Sequence, residues 1–252
     1  MTDSRSFPGR GHVYDVAIVG AGLCGTEAAL ACARANLDTL LVTTSLDTLY
    51  NLYGEGAVLN PKPGTLLYDL TTEVADETGW VDTWALHRAA KYVLEHTPGL
   101  HLLQSSASSL VFEEDRVTGI TTWEGVPRLA KRTALCVGSF LEARLHIGTL
   151  TEKAGRLSEM AYDDLYQDLL EHGFGFEPLQ VKATFEDESL PYTVDCKIFA
   201  ESERDGFKLP RLAGLYAGGL CASGELTYEE HAAQGQRLAE VLLEADTSEP
   251  DP

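Results

Sequence analysis

The run Gly20-Ala-Gly-Leu-Cys-Gly25 carries the chain's clearest chemistry. Glycines at G-x-G-x-x-G spacing suit a turn that brings backbone N–H groups against a diphosphate. Gly20 permits the tight turn, Gly22 lets backbone approach the phosphates, and Gly25 lets a helix pack on a strand. Ala21, Leu23 and Cys24 complete the loop. The N-terminus of the following helix offers unbonded N–H groups and a partial positive charge to the anion. Such a site usually has an acid at the end of its second strand, about 20 residues on, that grips a ribose hydroxyl. Here the sequence reads Thr43-Thr44-Ser45, and the next carboxylate is Asp47. Hydroxyls hold a ribose more weakly and less selectively, so the pattern departs from that of an ordinary NAD enzyme.

The five cysteines, at 24, 32, 136, 196 and 221, are odd in number and contain no C-x-x-C pair. That is neither a disulfide framework nor a zinc pattern, and no metal centre is expected. Cys24 stands where a helix N-terminus favours thiolate, although the same position suits a packing residue between loop and sheet.

The elements that position this loop are local. Asp15–Val19 is an apolar, β-branched run that reads as a buried parallel strand. The alanine-rich stretch Thr26–Ala35 reads as a close-packed helix ended by Asn36, and Thr39–Val42 as the next strand, giving a βαβ unit. Glycines and prolines break residues 47–80 into a loop with a single helical turn in Leu66–Ala75. A helix is predicted at 82–96 and a strand at Leu100–Gln104. Ala107–Phe112, Val117–Trp123 and Val126–Lys131 read as a small antiparallel meander, and Thr133–Val137 as a further buried strand. Met160–His172 is an amphipathic helix stopped by Gly173. Weaker strands are expected near 178–184 and 192–199, a buried strand at Leu215–Gly219 and a helix at Glu229–Leu243. The fold class is therefore α/β and Rossmann-like, with a small antiparallel β-meander at about 107–131. Residues 1–12 are expected to be a disordered N-terminus, 13–245 a single domain and 246–252 a frayed tail.

Acidic side chains number 39 against 19 basic ones, a formal charge of −20. This disfavours direct nucleic-acid binding and adhesion to an anionic membrane. Residues 1–50 carry a net −2 and residues 151–205 a net −9, so the acidity lies away from the phosphate loop. The first apolar run is too short for a signal peptide or a membrane span, and a cytoplasmic location is expected.

Gly20-Ala-Gly-Leu-Cys-Gly-Thr-Glu-Ala-Ala29, Thr39-Leu-Leu-Val-Thr43 and Leu46-Asp-Thr48 together resemble the GidA/MnmG family. The likeness continues in Asp115–Gly119, Val137-Gly-Ser-Phe-Leu141, Leu145-His-Ile-Gly148, Gly155-Arg156, Gly214–Gly219 and Tyr228–Gly235. These are FAD-dependent enzymes that modify wobble uridines of tRNA, and they too lack the usual acid on the second strand. The resemblance implies FAD, held by a domain of the two-dinucleotide-binding type. It implies that Thr43, Thr44 and Ser45 lie along the cofactor and that backbone near Ala107 faces the adenine. Val137, Gly138 and Ser139 would form the second approach of chain to cofactor. Gly218, Gly219 and Leu220 would lie near the ribityl chain and the pyrimidine side of the flavin. Cys221, just beyond, is then the candidate catalytic thiol. His146 and His231 fall in family-like segments and are weaker candidates for a general base.

The resemblance also has gaps. Full-length relatives insert a substrate-binding region where about 60 residues separate Gly155 from Gly214 here, and they append a helical domain. Where the family places Ser-Cys-Asn-Pro, this chain reads Tyr50-Asn-Leu-Tyr-Gly-Glu-Gly56, without the nucleophilic thiol. The expected function is that of an FAD-binding oxidoreductase with an unidentified substrate or redox partner. The alternatives are a non-catalytic redox sensor, an electron carrier or a subunit of a larger complex, including one in which another chain supplies the tRNA-handling parts.

Overall fold

The β-branched run before Gly20 forms β1 (Val13–Val19), whose residues from Val16 onward are fully buried, as a strand covered on both faces must be. A computed structural model describes residues 7–9, 11–183 and 192–248 of the chain. Helix α1 (Leu23–Arg34) returns over the sheet, Asn36 adopts φ 68° beyond its end, and β2 (Thr39–Thr43) pairs parallel to β1 with Val16 opposite Thr39. The βαβ unit is thus present.

The irregular stretch that follows holds more structure than its glycines suggest. β3 (Gly56–Val58) pairs antiparallel with β4 (Trp80–Asp82), and between them α2 (Leu66–Val74) is a nine-residue helix rather than one turn. Two caps explain it. The Thr65 hydroxyl accepts from Tyr68 N, and the buried Glu27 carboxylate accepts from Leu66 N and Leu67 N, each at 2.9 Å. Glu27 lies on α1, far away in sequence, so the Thr65 cap is the local signal and the second cap has none. Helix α3 (Thr83–Glu95), with Asp82 accepting from Ala85 N, and β5 (Leu100–Gln104) follow.

β6 (Ala107–Glu113) and β7 (Arg116–Thr122) form the expected hairpin. The next segment differs from expectation. Val126–Lys131 and Thr133–Val137 are not two strands but parts of one, β8 (Pro127–Leu135). Its first half pairs antiparallel with β7, and its length runs parallel along β1. Lys131 and Arg132 interrupt the apolar pattern, yet Arg132 is buried and donates to the carbonyls of Asp15 and Leu242.

Beyond β8 come β9 (Arg144–Ile147), β10 (Leu150–Glu152), β11 (Ala154–Arg156) and β12 (Glu159–Met160), none of them foreseen. Helix α4 (Asp163–Glu171) starts later than its pattern suggested, because Met160 belongs to β12. β13 (Phe176–Ala183) and β14 (Tyr192–Phe199) join β9 and β10 in a four-stranded antiparallel sheet, order β10-β9-β14-β13. Residue 184, at the end of one expected strand, lies outside the described residues. The chain then makes β15 (Leu215–Ala217), α5 (Leu220–Ser223) and α6 (Tyr228–Ser248).

The main sheet has seven strands, order β5-β2-β1-β8-β7-β6, with β15 parallel to the second half of β8. Helices α1, α2, α3 and α6 cover one face around Leu30, Leu41, Leu67 and Leu86. The meander, α4 and the loop before β15 enclose a second core on the other side around Tyr14, Leu135, Leu165 and Phe199. The parallel strands β1, β2, β8 and β15 all point their C-terminal ends toward one edge, where a ligand binds in an open α/β sheet.

Candidate dinucleotide-binding site

At that edge lies an open cleft. Gly20 leaves β1 at φ 106°, and a Cβ there would lie 2.2 Å from the Cys136 carbonyl oxygen, so only glycine fits between the ends of β1 and β8. A Cβ on Gly25 would lie 1.9 Å from the Gly20 carbonyl oxygen, which brings α1 close against its strand. Gly22 differs from both. A Cβ on it would meet nothing within 4 Å, and it begins α1 with no side-chain cap. The N-terminus of α1 thus carries no side-chain cap and borders the cleft, the arrangement that receives an anion.

Of the residues nominated from sequence, Gly20, Ala21, Gly22, Leu23, Cys24, Thr43, Thr44, Val137, Gly138, Gly219 and Leu220 line the cleft together. The others stand behind or beside it. Gly25 is spent on helix packing. Ser45 turns its hydroxyl to the Asp47 N–H. Ala107 is buried in β6 opposite Thr122. Ser139 is buried, donates to the Gly155 carbonyl at 2.8 Å and lies 3.3 Å from the Tyr53 hydroxyl. Gly218 packs against Leu238 and Cys24. Gly219 N donates to Gln234 Oε1 at 2.7 Å, and Gln234 in turn donates to Ser223, which ties the β15–α5 turn to α6.

Cys221 does not reach the cleft. It is fully buried, its thiol faces the carbonyls of Leu135 and Gly218 at 3.4 and 3.3 Å, and burial pushes its pKa far up. A protonated thiol behind the wall is a packing group, which corrects its nomination as a catalytic nucleophile. Cys136 and Cys24 do line the cleft. A hydrogen bond with the Cys24 thiol, together with burial, holds Cys136 well above the ordinary thiol value. His146 lies away from the cleft on β9, between Thr151 and Asp195 at 3.0 Å each. His231 lines the cleft, and burial lowers its pKa below that of an ordinary histidine, so its imidazole is neutral at pH 7.

The opposite wall was missed by sequence reasoning. It comprises Tyr53, Phe140, Arg156, Glu159, Tyr162 and Tyr228. The Arg156 guanidinium sits 5.7 Å over the Tyr53 ring and donates to the Leu52 carbonyl. The Tyr228 hydroxyl accepts from Tyr53 N at 3.1 Å. Gly155-Arg156 did stand out as a motif, and a Cβ at Gly155 would overlap the Phe140 ring, at 2.3 Å. Phe140 and Tyr228 also fall in family-like segments, whereas no motif marks Tyr53, Glu159 or Tyr162.

The residues present fit a dinucleotide: an uncapped helix N-terminus for the diphosphate, backbone at Val137-Gly138 and Gly219-Leu220, and an aromatic far wall. Residues 15–210 match the family described as Glucose inhibited division protein A. The chain belongs to the GidA family. It is 33% identical over 192 residues to the tRNA uridine 5-carboxymethylaminomethyl modification enzyme MnmG of Chlamydia caviae, which is 66% of this chain and 31% of that protein. It thus spans about a third of the length of the curated relatives it matches. The GidA-related protein from Thermus thermophilus is similar over 93% of this chain and all of its own, with 39% identity and a TM-score of 0.82. Aquifex aeolicus GidA shares the fold, with a TM-score of 0.80 at 15% identity over 95% of this chain and 64% of its own. No helix among the described residues is long and apolar enough to cross a membrane.

Proposed function

We propose that this GidA-family chain binds FAD and acts as a flavin-dependent oxidoreductase in the cytoplasm. One observation carries the FAD reading: the phosphate loop, the end of β2, Val137-Gly138 and Gly219-Leu220 converge on a single cleft that begins at the uncapped N-terminus of α1. Bound FAD would supply two-electron redox chemistry at its isoalloxazine. The chain's own residues hold and orient it. The α1 N–H groups and helix dipole would meet the diphosphate. Tyr53, fixed by Tyr228 and Arg156, and kept protonated by burial, closes the opposite side. His231 presents a neutral imidazole that can accept a proton at the cleft.

The Chlamydia relative carries tRNA uridine modification in its name, and a link to tRNA processing is proposed by that likeness, with a separate redox or RNA-handling partner. A second reading, a non-catalytic electron carrier or sensor, is favoured by the thiols. Cys221 is shut away and Cys136 is held protonated, so neither is a ready nucleophile.

The test is the spectrum of the purified protein and the identity of the flavin released on denaturation. FAD supports the proposal, and colourless protein that takes up NAD overturns it. Replacing Gly22 by valine should abolish flavin retention while the fold survives, since its Cβ meets no protein atom. Steady oxidation of a reduced nicotinamide favours the enzyme; a stable, unreactive flavin favours the carrier.

A further inference from the structure

A dinucleotide fold places a carboxylate against the adenosine ribose at the end of its second strand. Thr43, Thr44 and Ser45 stand there instead. The fold brings an acid to the same spot from elsewhere. Glu159, on β12, lines the cleft beside Thr43 and Thr44, and its Oε2 accepts a 3.1 Å hydrogen bond from the Thr44 hydroxyl, 115 residues away in sequence. Its side chain is only 9% exposed. The other oxygen, Oε1, is shielded from water and accepts no hydrogen bond among the described residues, with Arg156 Nε 4.0 Å off. With Oε1 closed off beside Arg156, a ribose hydroxyl in the cleft would meet the carboxylate at Oε2, which accepts from Thr44 and has capacity for a second donor.

We infer that Glu159 is the ribose-binding carboxylate of this cleft, standing in space where the acid of β2 is missing in sequence. Thr44 then has a different task from direct ribose binding: its hydroxyl orients Glu159. Arg156 supplies the compensating positive charge from the far side. A carboxylate at this place also selects the cofactor. It welcomes an unmodified ribose and repels a phosphate on that ribose.

The inference rests on the FAD reading, and flavin titration of the 252-residue chain separates the two. E159Q keeps the shape but replaces one acceptor oxygen by a donor. It should weaken FAD about tenfold to a hundredfold, the worth of a hydrogen bond to a charged group. FMN, which lacks the adenosine, should bind wild type and E159Q alike. With FAD analogues lacking the 2′ or the 3′ hydroxyl of the adenosine ribose, one of the two should bring wild type down to the level of E159Q. Equal FAD affinity in E159Q and wild type overturns the inference. So does a parallel loss for FAD and FMN, or a wild-type advantage undiminished with both deoxy analogues, each of which marks Glu159 as structural. A wild-type chain that binds no FAD overturns the cofactor reading and this inference with it.

Discussion

Glu27 is fully buried on α1, and its carboxylate takes four hydrogen bonds. Oε1 accepts from the Tyr50 hydroxyl at 2.5 Å and Leu67 N at 2.9 Å; Oε2 accepts from Leu66 N at 2.9 Å and Gln236 Nε2 at 2.6 Å. All four partners can donate, so both carboxylate oxygens are filled as acceptors. In Glu27→Gln, whichever way the amide turns, its NH₂ faces a backbone N–H. One buried N–H loses its acceptor, at about 1–3 kcal/mol, and a charge-assisted bond becomes neutral, at about 1 kcal/mol more. The expected loss is therefore about 2–4 kcal/mol, a large share of a typical ~5–15 kcal/mol. Tyr50→Phe removes one donor and leaves the other three, at a cost of about 1–2 kcal/mol. Urea unfolding should show the two variants in that order. Hydrogen exchange should show α2 losing protection first in Glu27→Gln, because Leu66 and Leu67 are its first residues. Since Thr48, Asn51 and Tyr53 line the cleft from the same segment, flavin retention should fall as well. A Glu27→Gln protein within 0.5 kcal/mol of wild type, with α2 equally protected, would refute the reasoning.

Gly20→Ala should abolish flavin binding and cost about 3 kcal/mol or more, because φ 106° and the Cys136 carbonyl both exclude a methyl group; thermal unfolding and absorbance check both. Burial raises the thiol of Cys32 to about 12 from an unfolded value near 9. The unfolded chain thus loses its proton first, and stability is full below pH 9 and declines between pH 9 and 12. The slope is about 1.4 kcal/mol per pH unit for each such thiol, and Cys196, also raised to about 12, adds to it; urea midpoints at pH 8 and 10 measure the decline. Cys221→Ala should leave the flavin spectrum and any nicotinamide oxidation unchanged, while a large loss of turnover would restore the thiol to the mechanism.

The βαβ unit and its loop were legible because everything they need is consecutive: a β-branched strand, spaced glycines, an alanine-rich helix. The boundaries of β5 could be read for the same reason. What escaped depends on distant partners. Helix α2 is capped by Glu27, and β8 hides its continuity because Arg132 finds its acceptors on Asp15 and Leu242. The candidate site divides in the same way. Its glycine wall shows in the sequence, whereas Tyr53, Arg156 and Glu159 converge only once β9–β12 have folded across the cleft. Cys221 was misjudged because a one-residue step past Gly219-Leu220 turns it from the ligand side into the core.

Strand β8 is shared property. The end that pairs with β7 fixes the meander, and the other end delivers Cys136, Val137 and Gly138 to the cleft. A slip of one residue against β7 would therefore be a slip against β1 and β15 too, and with a period of two it would exchange the inward and outward faces along the whole strand. The meander is thus not a detachable module. Grafting it from another protein, or cutting the chain between it and the central sheet, would move the floor of the cofactor cleft, so swaps in this family should carry residues 107–138 as one inheritance unit.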